Sequence, residues 1–152
     1  MKSVALRLLA RRDFGREELA ERLRSRGGDD AEITAALDHL TALGFVSDVR
    51  TAESVVARRR GSFGRRAIAQ VLKDRRIAPD VAAAALEPLD GADEAADALA
   101  LWQRRFGTPP RDQREKARHV RFLMARGFSA SVALKVLRIA GAPVEEADHD
   151  AS

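Results

Sequence analysis

The chain of 152 residues contains no cysteine and no tyrosine, and aromatic residues make up only 5% of it. Without cysteine, disulfide bonds, zinc sites built on thiolates and cysteine nucleophiles are excluded. Runs of β-branched and aromatic residues are absent, so signals for strands are poor. The N-terminal segment has no long apolar run and carries several arginines, which excludes a signal peptide or a membrane span there. We therefore expect a helical, cytoplasmic protein without membrane association.

Patterns typical of catalysis or metal binding are also scarce. The three histidines, His39, His119 and His149, share no ligand spacing with other residues, and we expect them to be isolated surface side chains. No G-x-x-x-x-G-K-[ST] loop occurs, which argues against nucleotide hydrolysis. The serines lack a nucleophile-elbow context, and several stand where helix caps are expected. We therefore expect no enzymatic activity, no metal and no cofactor.

What the chain does contain is a helical phrase that recurs three times. Residues 14–27 return, shifted by 49 positions, as residues 63–76. A looser third copy places Leu123, Arg126 and Gly127 where the first copy has a leucine, an arginine and a glycine. A period near fifty indicates three copies of one small helical unit.

Helical periodicity predicts an all-α protein of nine helices, with three helices in each copy. The predicted units span residues 1–46, 47–91 and 92–141, and an acidic disordered tail is expected over 142–152. Each unit is too small to hold a large core alone. We therefore expect the units to stack into an elongated, solenoid-like array of helical repeats.

Local signals predict helix ends and core positions. The first helix is expected to stop near Gly15, and Gly27 suits the left-handed end of the second. Asp29, followed three residues later by Glu32, predicts a capping box for the third helix. Helical spacing favours the core, rather than a base-stacking surface, for Trp102 and Phe106. Other apolar residues expected inside include Ile33, Leu37, Leu40, Leu43, Val120, Leu123 and Met124.

The charges alternate in blocks that follow the repeat. Residues 29–49 hold five acids and no lysine or arginine, whereas residues 50–76 hold nine bases against two acids. Residues 77–100 hold six acids and no base, and residues 101–126 hold eight bases against two acids. Such a pattern produces a directional field that steers an anionic partner. The alternative is a solvated arginine face with no partner.

Two patterns in the sequence resemble nucleic-acid-binding motifs. Residues 61–64 spell G-x-x-G between arginines, like the loop with which KH domains clamp a backbone, but the strands of a KH domain are missing. A tight turn with Phe63 packed inward, as Phe14 would be in the first unit, is favoured instead. Helix-turn-helix reading of bases is disfavoured because the candidate recognition helices are acidic and would repel phosphate. Backbone contact by the basic blocks stays open.

Several phrases resemble the RecX regulatory proteins of bacteria. Residues 121–129 read R-F-L-M-A-R-G-F-S, close to a C-terminal phrase of that family, and Glu18-Leu19 through Gly27 is similar to its first-unit pattern. The sequence Gly44-Phe45-Val46-Ser47-Asp48, the arginines at 58–60, and Gly64 with Ile68 resemble its central region, and the likeness covers about residues 4–141.

The chain departs from the family pattern at two places. The family often has glycine before isoleucine at the end of the middle unit's second helix, where this chain has Arg76 before Ile77. An aromatic residue commonly follows the arginine matched by Arg50, and here Thr51 follows it. An aromatic contact in that helix is therefore not expected.

The resemblance implies a non-enzymatic modulator of the RecA recombinase. Such proteins bind the RecA–DNA filament along its groove and hinder filament growth, strand exchange, ATP hydrolysis and stimulated repressor cleavage. They also bind single- or double-stranded DNA weakly, and we expect a monomer. The runner-up is a sequence-independent DNA-binding helical module that acts without RecA, and a third possibility is a scaffold for another protein.

The basic blocks supply the candidate binding residues. Arg58, Arg59, Arg60, Arg65 and Arg66 are expected to form the main surface for an anionic partner, with Arg118, Arg121 and Arg126 second, and Lys73, Arg75 and Arg76 complete the set. Arg121 and Arg126 have an alternative role, since either side chain could instead bond across units.

Overall fold

Within residues 1–141, which are those that the computed structural model describes, the chain forms nine α-helices, one short 3₁₀ helix and no strand. The all-α prediction is confirmed. The predicted acidic tail and His149 lie outside the described residues. The helices are α1 Lys2–Leu9, α2 Arg16–Ser25, α3 Asp30–Ala42, α4 Asp48–Arg59, α5 Arg65–Asp74, α6 Pro79–Leu86, α7 Ala92–Arg105, α8 Gln113–Ala125 and α9 Ala130–Ile139, with the 3₁₀ helix at Glu87–Leu89.

Helix α1 ends at Leu9, so the prediction that it continues to near Gly15 is wrong. After this end, the Arg12 guanidinium stacks over the Phe14 ring at 3.9 Å and pairs with the Glu18 carboxylate at 2.9 Å. Residues 12 and 18 would face different directions on one continuous helix. The turn between α1 and α2 is therefore needed for both contacts.

The predicted caps of α2 and α3 are present. The Asp29 side chain accepts a hydrogen bond from the Glu32 N–H at 2.8 Å, and the Asp29 N–H donates to the Glu32 carboxylate, which completes a capping box. Gly27 has a φ of +91°. This left-handed residue lets the next N–H bond back to the helix, as in a Schellman motif. Helices α2, α5 and α8 share that ending, with bonds from Gly28 to Leu23, Ile77 to Leu72 and Phe128 to Leu123.

Arg76 occupies the left-handed position at the end of α5. Its φ is +62°, and it is the one non-glycine residue with positive φ within residues 1–141. An L-residue in this conformation costs about 1–2 kcal/mol relative to glycine. The Arg76 guanidinium pairs with the Glu21 carboxylate at 2.8 Å, and this exposed pair offsets at most about 1 kcal/mol of that cost. The departure from glycine at this position therefore keeps the motif while straining its backbone.

The described chain packs as two compact units. The first comprises residues 1–58 and 69–85, and the second comprises residues 59–68 with the described residues from 86 onward. The main core of the first unit surrounds Leu19, Leu23 and Leu40, and that of the second surrounds Leu123, Phe128 and Val136. The boundaries of the three predicted repeats remain predictions.

Two apolar residues expected in the core are exposed. The side chain of Leu43 is 57% exposed, because α3 ends at Ala42 and Val46, beyond the turn at Gly44, takes the buried place. Met124 is 42% exposed. The buried residues of α8 are His119 and Leu123. This face is rotated from the one that Val120, Leu123 and Met124 predict, so Met124 points away from the core. Trp102 is buried as expected.

His119 is buried in the second compact unit, so the prediction of a surface side chain is wrong for this histidine, although His39 is exposed. Its Nδ1 accepts a hydrogen bond of 3.0 Å from the indole N–H of Trp102, and its ring stacks on Phe106 with 3.8 Å between ring centroids. Nδ1 can accept only when it carries no proton. The packing therefore requires a neutral imidazole.

Acid should destabilise the second compact unit through His119. Burial lowers the pKa of His119, with a further lowering from the nearby Arg118 cation. The folded state then binds fewer protons than the unfolded state, so stability is full above about pH 6.5 and falls as pH drops toward the lowered pKa. Urea unfolding at a series of pH values between 8 and 5 measures this loss.

His119→Gln is the matched variant, because an amide oxygen can accept from Trp102 without titrating. We expect the variant to lose clearly less stability than the wild type over this pH range. The same slope in both proteins would show that the acid sensitivity comes from other groups.

Candidate partner-binding surface

The eleven predicted binding residues divide into two sets. Five of them make side-chain contacts within their own compact unit, namely Arg60, Arg65, Arg75, Arg76 and Arg126. The other six have no side-chain hydrogen bond or ion pair to any residue in 1–141, namely Arg58, Arg59, Arg66, Lys73, Arg118 and Arg121.

In the first compact unit, Arg75 at the end of α5 holds the turn before α2. Its guanidinium donates to the carbonyl of Asp13 at 2.8 Å and pairs with Glu18 at 3.3 Å, and its side chain is only 20% exposed. In the same turn, the Arg16 N–H donates a hydrogen bond to the Asp48 carboxylate at 2.8 Å. We call this set of contacts, with residues 13–16 as the inserted turn, the first joint.

The second compact unit repeats these contacts with equivalent residues. Arg126, which aligns with Arg75, donates to the carbonyl of Ser62 at 3.0 Å. Ser62 aligns with Asp13, and the main chain of Arg65, which aligns with Arg16, interacts with the Glu94 carboxylate. We call this set, with residues 62–65 as the inserted turn, the second joint.

The second joint also brings two stretches of backbone into direct contact. The Gly64 N–H donates to the Arg126 carbonyl at 2.7 Å, and the Arg66 N–H donates to the Gly127 carbonyl at 3.1 Å. These N–H groups belong to the G-x-x-G turn and to the start of α5. Because they are already bonded within the chain, they are not available to clamp a phosphate. Phe63 of this turn is half-buried, whereas Phe14 in the first joint is buried.

Arg126 is further held by aromatic rings. Its guanidinium lies 5.5 Å from the centroid of Phe63 and 5.1 Å from that of Phe122, within the range of a cation–π interaction. Arg121, which lies within α8 and five residues earlier, is exposed and makes no such contact with the described residues. Arg126 therefore has the contacts of a structural residue, whereas Arg121 is free to bind a partner.

Helix α8 carries a stripe of unpaired arginines on its exposed face. Arg114, Arg118 and Arg121 stand at positions i, i+4 and i+7, which share one side of a helix, and none has an ion pair within the described residues. The neighbouring Glu115 is held by Arg111 at 2.7 Å, which lowers the pKa of Glu115 to about 2. We call these three residues the α8 stripe. Arg114 is absent from the predicted set, although its helical spacing from Arg118 is visible in the sequence.

No helix within residues 1–141 is long and apolar enough to span a bilayer. In the same residues, no group of three or more histidine, aspartate or glutamate side chains is arranged to hold a metal ion.

Comparisons with known proteins bear on the whole chain. Models of the first, second and third three-helix domains of RecX match residues 2–40, 47–86 and 92–137. The regulatory protein RecX of Leptothrix cholodnii is 47% identical, covering 99% of this chain and 93% of that protein. The RecX of Ralstonia nicotianae is 38% identical over 97% of this chain and 92% of that protein.

A solved structure supports the same fold. The crystal structure of RecX from Lactobacillus salivarius superposes with a TM-score of 0.77 at 21% identity, covering 91% of this chain and 93% of that one. At this level of identity the superposition bears on the fold alone.

Proposed function

The chain belongs to the RecX family of regulatory proteins, and from this premise we propose that it binds the RecA–DNA filament and inhibits RecA. The proposed action is non-enzymatic and takes place in the cytoplasm, with the chain as a monomer. It affects the recombinase, ATPase and coprotease activities, either by occupying the filament groove or by blocking filament extension.

The α8 stripe is the observation that carries this proposal. Three guanidinium groups on one exposed face form no ion pair or side-chain hydrogen bond with the described residues. Binding a phosphate or carboxylate there breaks no existing ion pair, and each such contact is a charge-assisted hydrogen bond. Arg59 and Arg66 add unpaired cations in the same compact unit, as Arg58 and Lys73 do in the first.

The paired arginines are weaker candidates for direct contact. Arg60 pairs with Asp97 at 3.0 Å and Arg65 with Asp90 at 2.8 Å, and both arginine side chains remain more than a third exposed. The exposed Arg65–Asp90 pair contributes about 0–1 kcal/mol, so an anionic partner can compete for Arg65. Arg60 is less accessible to such a partner, because the Asp97 carboxylate is only 20% exposed. Arg75 and Arg126, by contrast, hold the joints, and we assign them to the structure.

A surface of this kind suits a filament better than a single small ligand. Phosphates along DNA and acidic side chains of a polymerised protein present many anionic groups at once. Several modest contacts made by one chain add through effective concentration. The dependence of affinity on salt then reflects the number of ionic contacts.

The test is RecA's ATPase activity on single-stranded DNA, with this protein titrated against a fixed amount of filament. Arg118→Glu/Arg121→Glu is compared with Lys135→Glu/Arg138→Glu, which makes the same charge change on exposed positions of α9. We expect half-inhibition by the first variant to need at least roughly tenfold more protein, corresponding to about 1.4 kcal/mol of lost binding. The α9 variant should behave nearly as the wild type.

The amount of protein needed by the wild type distinguishes the proposal from the runner-up. Inhibition well below one molecule per RecA, with shortening of preformed filaments, supports action on the filament. Inhibition only at amounts that coat the DNA would favour a DNA-binding module that acts without RecA. Equal loss in both charge-reversed variants would show that net charge, and not the α8 stripe, is responsible.

A further inference from the structure

Within residues 1–141, the first repeat carries a counterpart of the two joints that no turn of the chain fills. Arg26 stands at the end of α2 where Arg75 and Arg126 stand at the ends of α5 and α8, and the following residue is left-handed in all three copies. The guanidinium groups of Arg75 and Arg126 each donate a hydrogen bond to a main-chain carbonyl in a turn of the chain. Arg26, in contrast, is exposed and has no side-chain hydrogen bond or ion pair within residues 1–141.

Arg26 lines a concavity with the exposed side of α1. The cavity has a volume of about 420 Å³, and Arg7 and Arg11 line it together with Arg26. Val4 and Leu8 supply an apolar floor. Arg7 and Arg11, like Arg26, are exposed and lack a side-chain partner among the described residues. Three guanidinium groups therefore surround one apolar recess.

The charge of this recess differs from that of the occupied joints. In the first joint Asp48 accepts the N–H of the inserted turn, and Glu94 stands at the same place in the second. Among the described residues, no acidic side chain lines the recess at Arg26. Its three cations are thus uncompensated, and a ligand must bring the negative charge itself.

We propose that this recess binds an acidic turn of a partner protein. Arg26 would take a main-chain carbonyl and a carboxylate of the turn, as Arg75 takes those of Asp13 and Glu18. An apolar side chain of the turn would lie on Val4 and Leu8, with Arg7 and Arg11 facing its acids. This site is separate from the α8 stripe and does not depend on the proposed role toward RecA.

The geometry favours a protein turn over nucleic acid. The molecule uses the equivalent arginine twice, and both times its ligand is a carbonyl of a polypeptide turn. A concave recess with an apolar floor matches a compact turn with one apolar side chain. A nucleic-acid backbone is instead contacted by cations spread along a groove or face.

The probe is the peptide Asp-Phe-Gly-Arg-Glu-Glu, capped at both ends, which copies the turn that Arg75 holds (residues 13–18). The full-length protein, labelled with ¹⁵N and free of RecA and DNA, is titrated with it and followed by NMR. We expect saturable shifts at the amides of residues 7, 11 and 26, and few at α8. Arg26→Glu should weaken the affinity at least roughly fivefold, as expected for a lost charge-assisted hydrogen bond.

The matched control is Arg138→Glu, which reverses an exposed and unpaired arginine on α9 and should leave the affinity unchanged. A peptide with both glutamates and the aspartate replaced by amides should bind more weakly than the acidic one. Arg26→Gln removes the charge but leaves a polar side chain, and it should also bind the acidic peptide more weakly than the wild type. Circular dichroism checks that each variant is folded.

Two outcomes would overturn the proposal. The first is absence of saturable binding, or shifts centred on residues 58–66 or on α8. The second is that Arg26→Glu weakens the binding of a single-stranded oligo-dT but leaves the affinity for the peptide unchanged. That result would make the recess a nucleic-acid site. Neither outcome bears on inhibition of RecA through the α8 stripe, since RecA is absent from the assay.

Discussion

Replacing Gly127 with alanine is expected to lower the free energy of unfolding by about 3–5 kcal/mol. This loss combines steric overlap of the new Cβ atom, the strain of an alanine in a left-handed conformation and the weakening of nearby backbone hydrogen bonds. A Cβ atom at Gly127 would lie 2.5 Å from the Ala67 Cβ and 2.6 Å from the Ala67 nitrogen. The second atom is backbone, so it cannot move without shifting α5. The φ of +101° adds strain for any L-residue. For a chain of this size the change corresponds to a fall of roughly 10 °C in Tm.

Gly27→Ala is the matched control for this prediction. Gly27 holds the same repeat position with a φ of +91°, but a Cβ there would meet no atom within 4 Å. The Gly27→Ala variant should lose only the free energy of unfolding that comes from backbone strain, about 1–2 kcal/mol. Gly64→Ala tests the joint from its other side, since its Cβ would lie 2.6 Å from the Gly127 carbonyl carbon. Urea unfolding followed by circular dichroism measures all three, and equal losses at Gly127 and Gly27 would refute close packing at the joint.

The sequence predicts the fold well because the deciding signals are local. Gly27 and the pair Asp29–Glu32 mark helix ends within a few residues, and the period near fifty repeats those marks along the chain. Propensity, capping and periodicity then agree on nine helices. The errors are also local in origin. Apolar character alone predicts that Leu43 and Met124 are buried. The end of α3 exposes Leu43, and the buried face of α8 is set by His119 and Leu123 instead of Met124.

The candidate site is predicted less well because pairing depends on tertiary structure. The basic block at 50–76 shows an excess of positive charge, but not that Arg75 reaches Glu18 or that Arg60 reaches Asp97. These partners are 57 and 37 residues apart. Composition therefore indicates an anionic partner without showing which cations are free for it. Internal alignment of Arg26, Arg75 and Arg126 would have found the shared joint position.

Arg126→Ala is expected to lower the free energy of unfolding by about 2–4 kcal/mol, from one charge-assisted hydrogen bond and two cation–π contacts. The lost contacts are those to the Ser62 carbonyl and to the rings of Phe63 and Phe122. Arg121→Ala, five residues earlier on the same helix, removes an exposed side chain without such contacts. Its unfolding free energy should stay within about 0.5 kcal/mol of the wild type.

The effects of the two variants on function should be the reverse of their effects on stability. The proposed function predicts that, at a temperature where both are folded, Arg121→Ala inhibits RecA less than the wild type, because it removes a cation of the α8 stripe. Arg126→Ala should inhibit nearly as well as the wild type while folded, and its inhibition should fail together with its helicity on heating. An Arg126→Ala protein with wild-type stability and weak inhibition would place that guanidinium in the partner contact. The second joint would then have to be held by the backbone bonds of Gly64 and Arg66 and by the contact of the Arg65 main chain with Glu94. Gly64→Ala tests the backbone bonds independently.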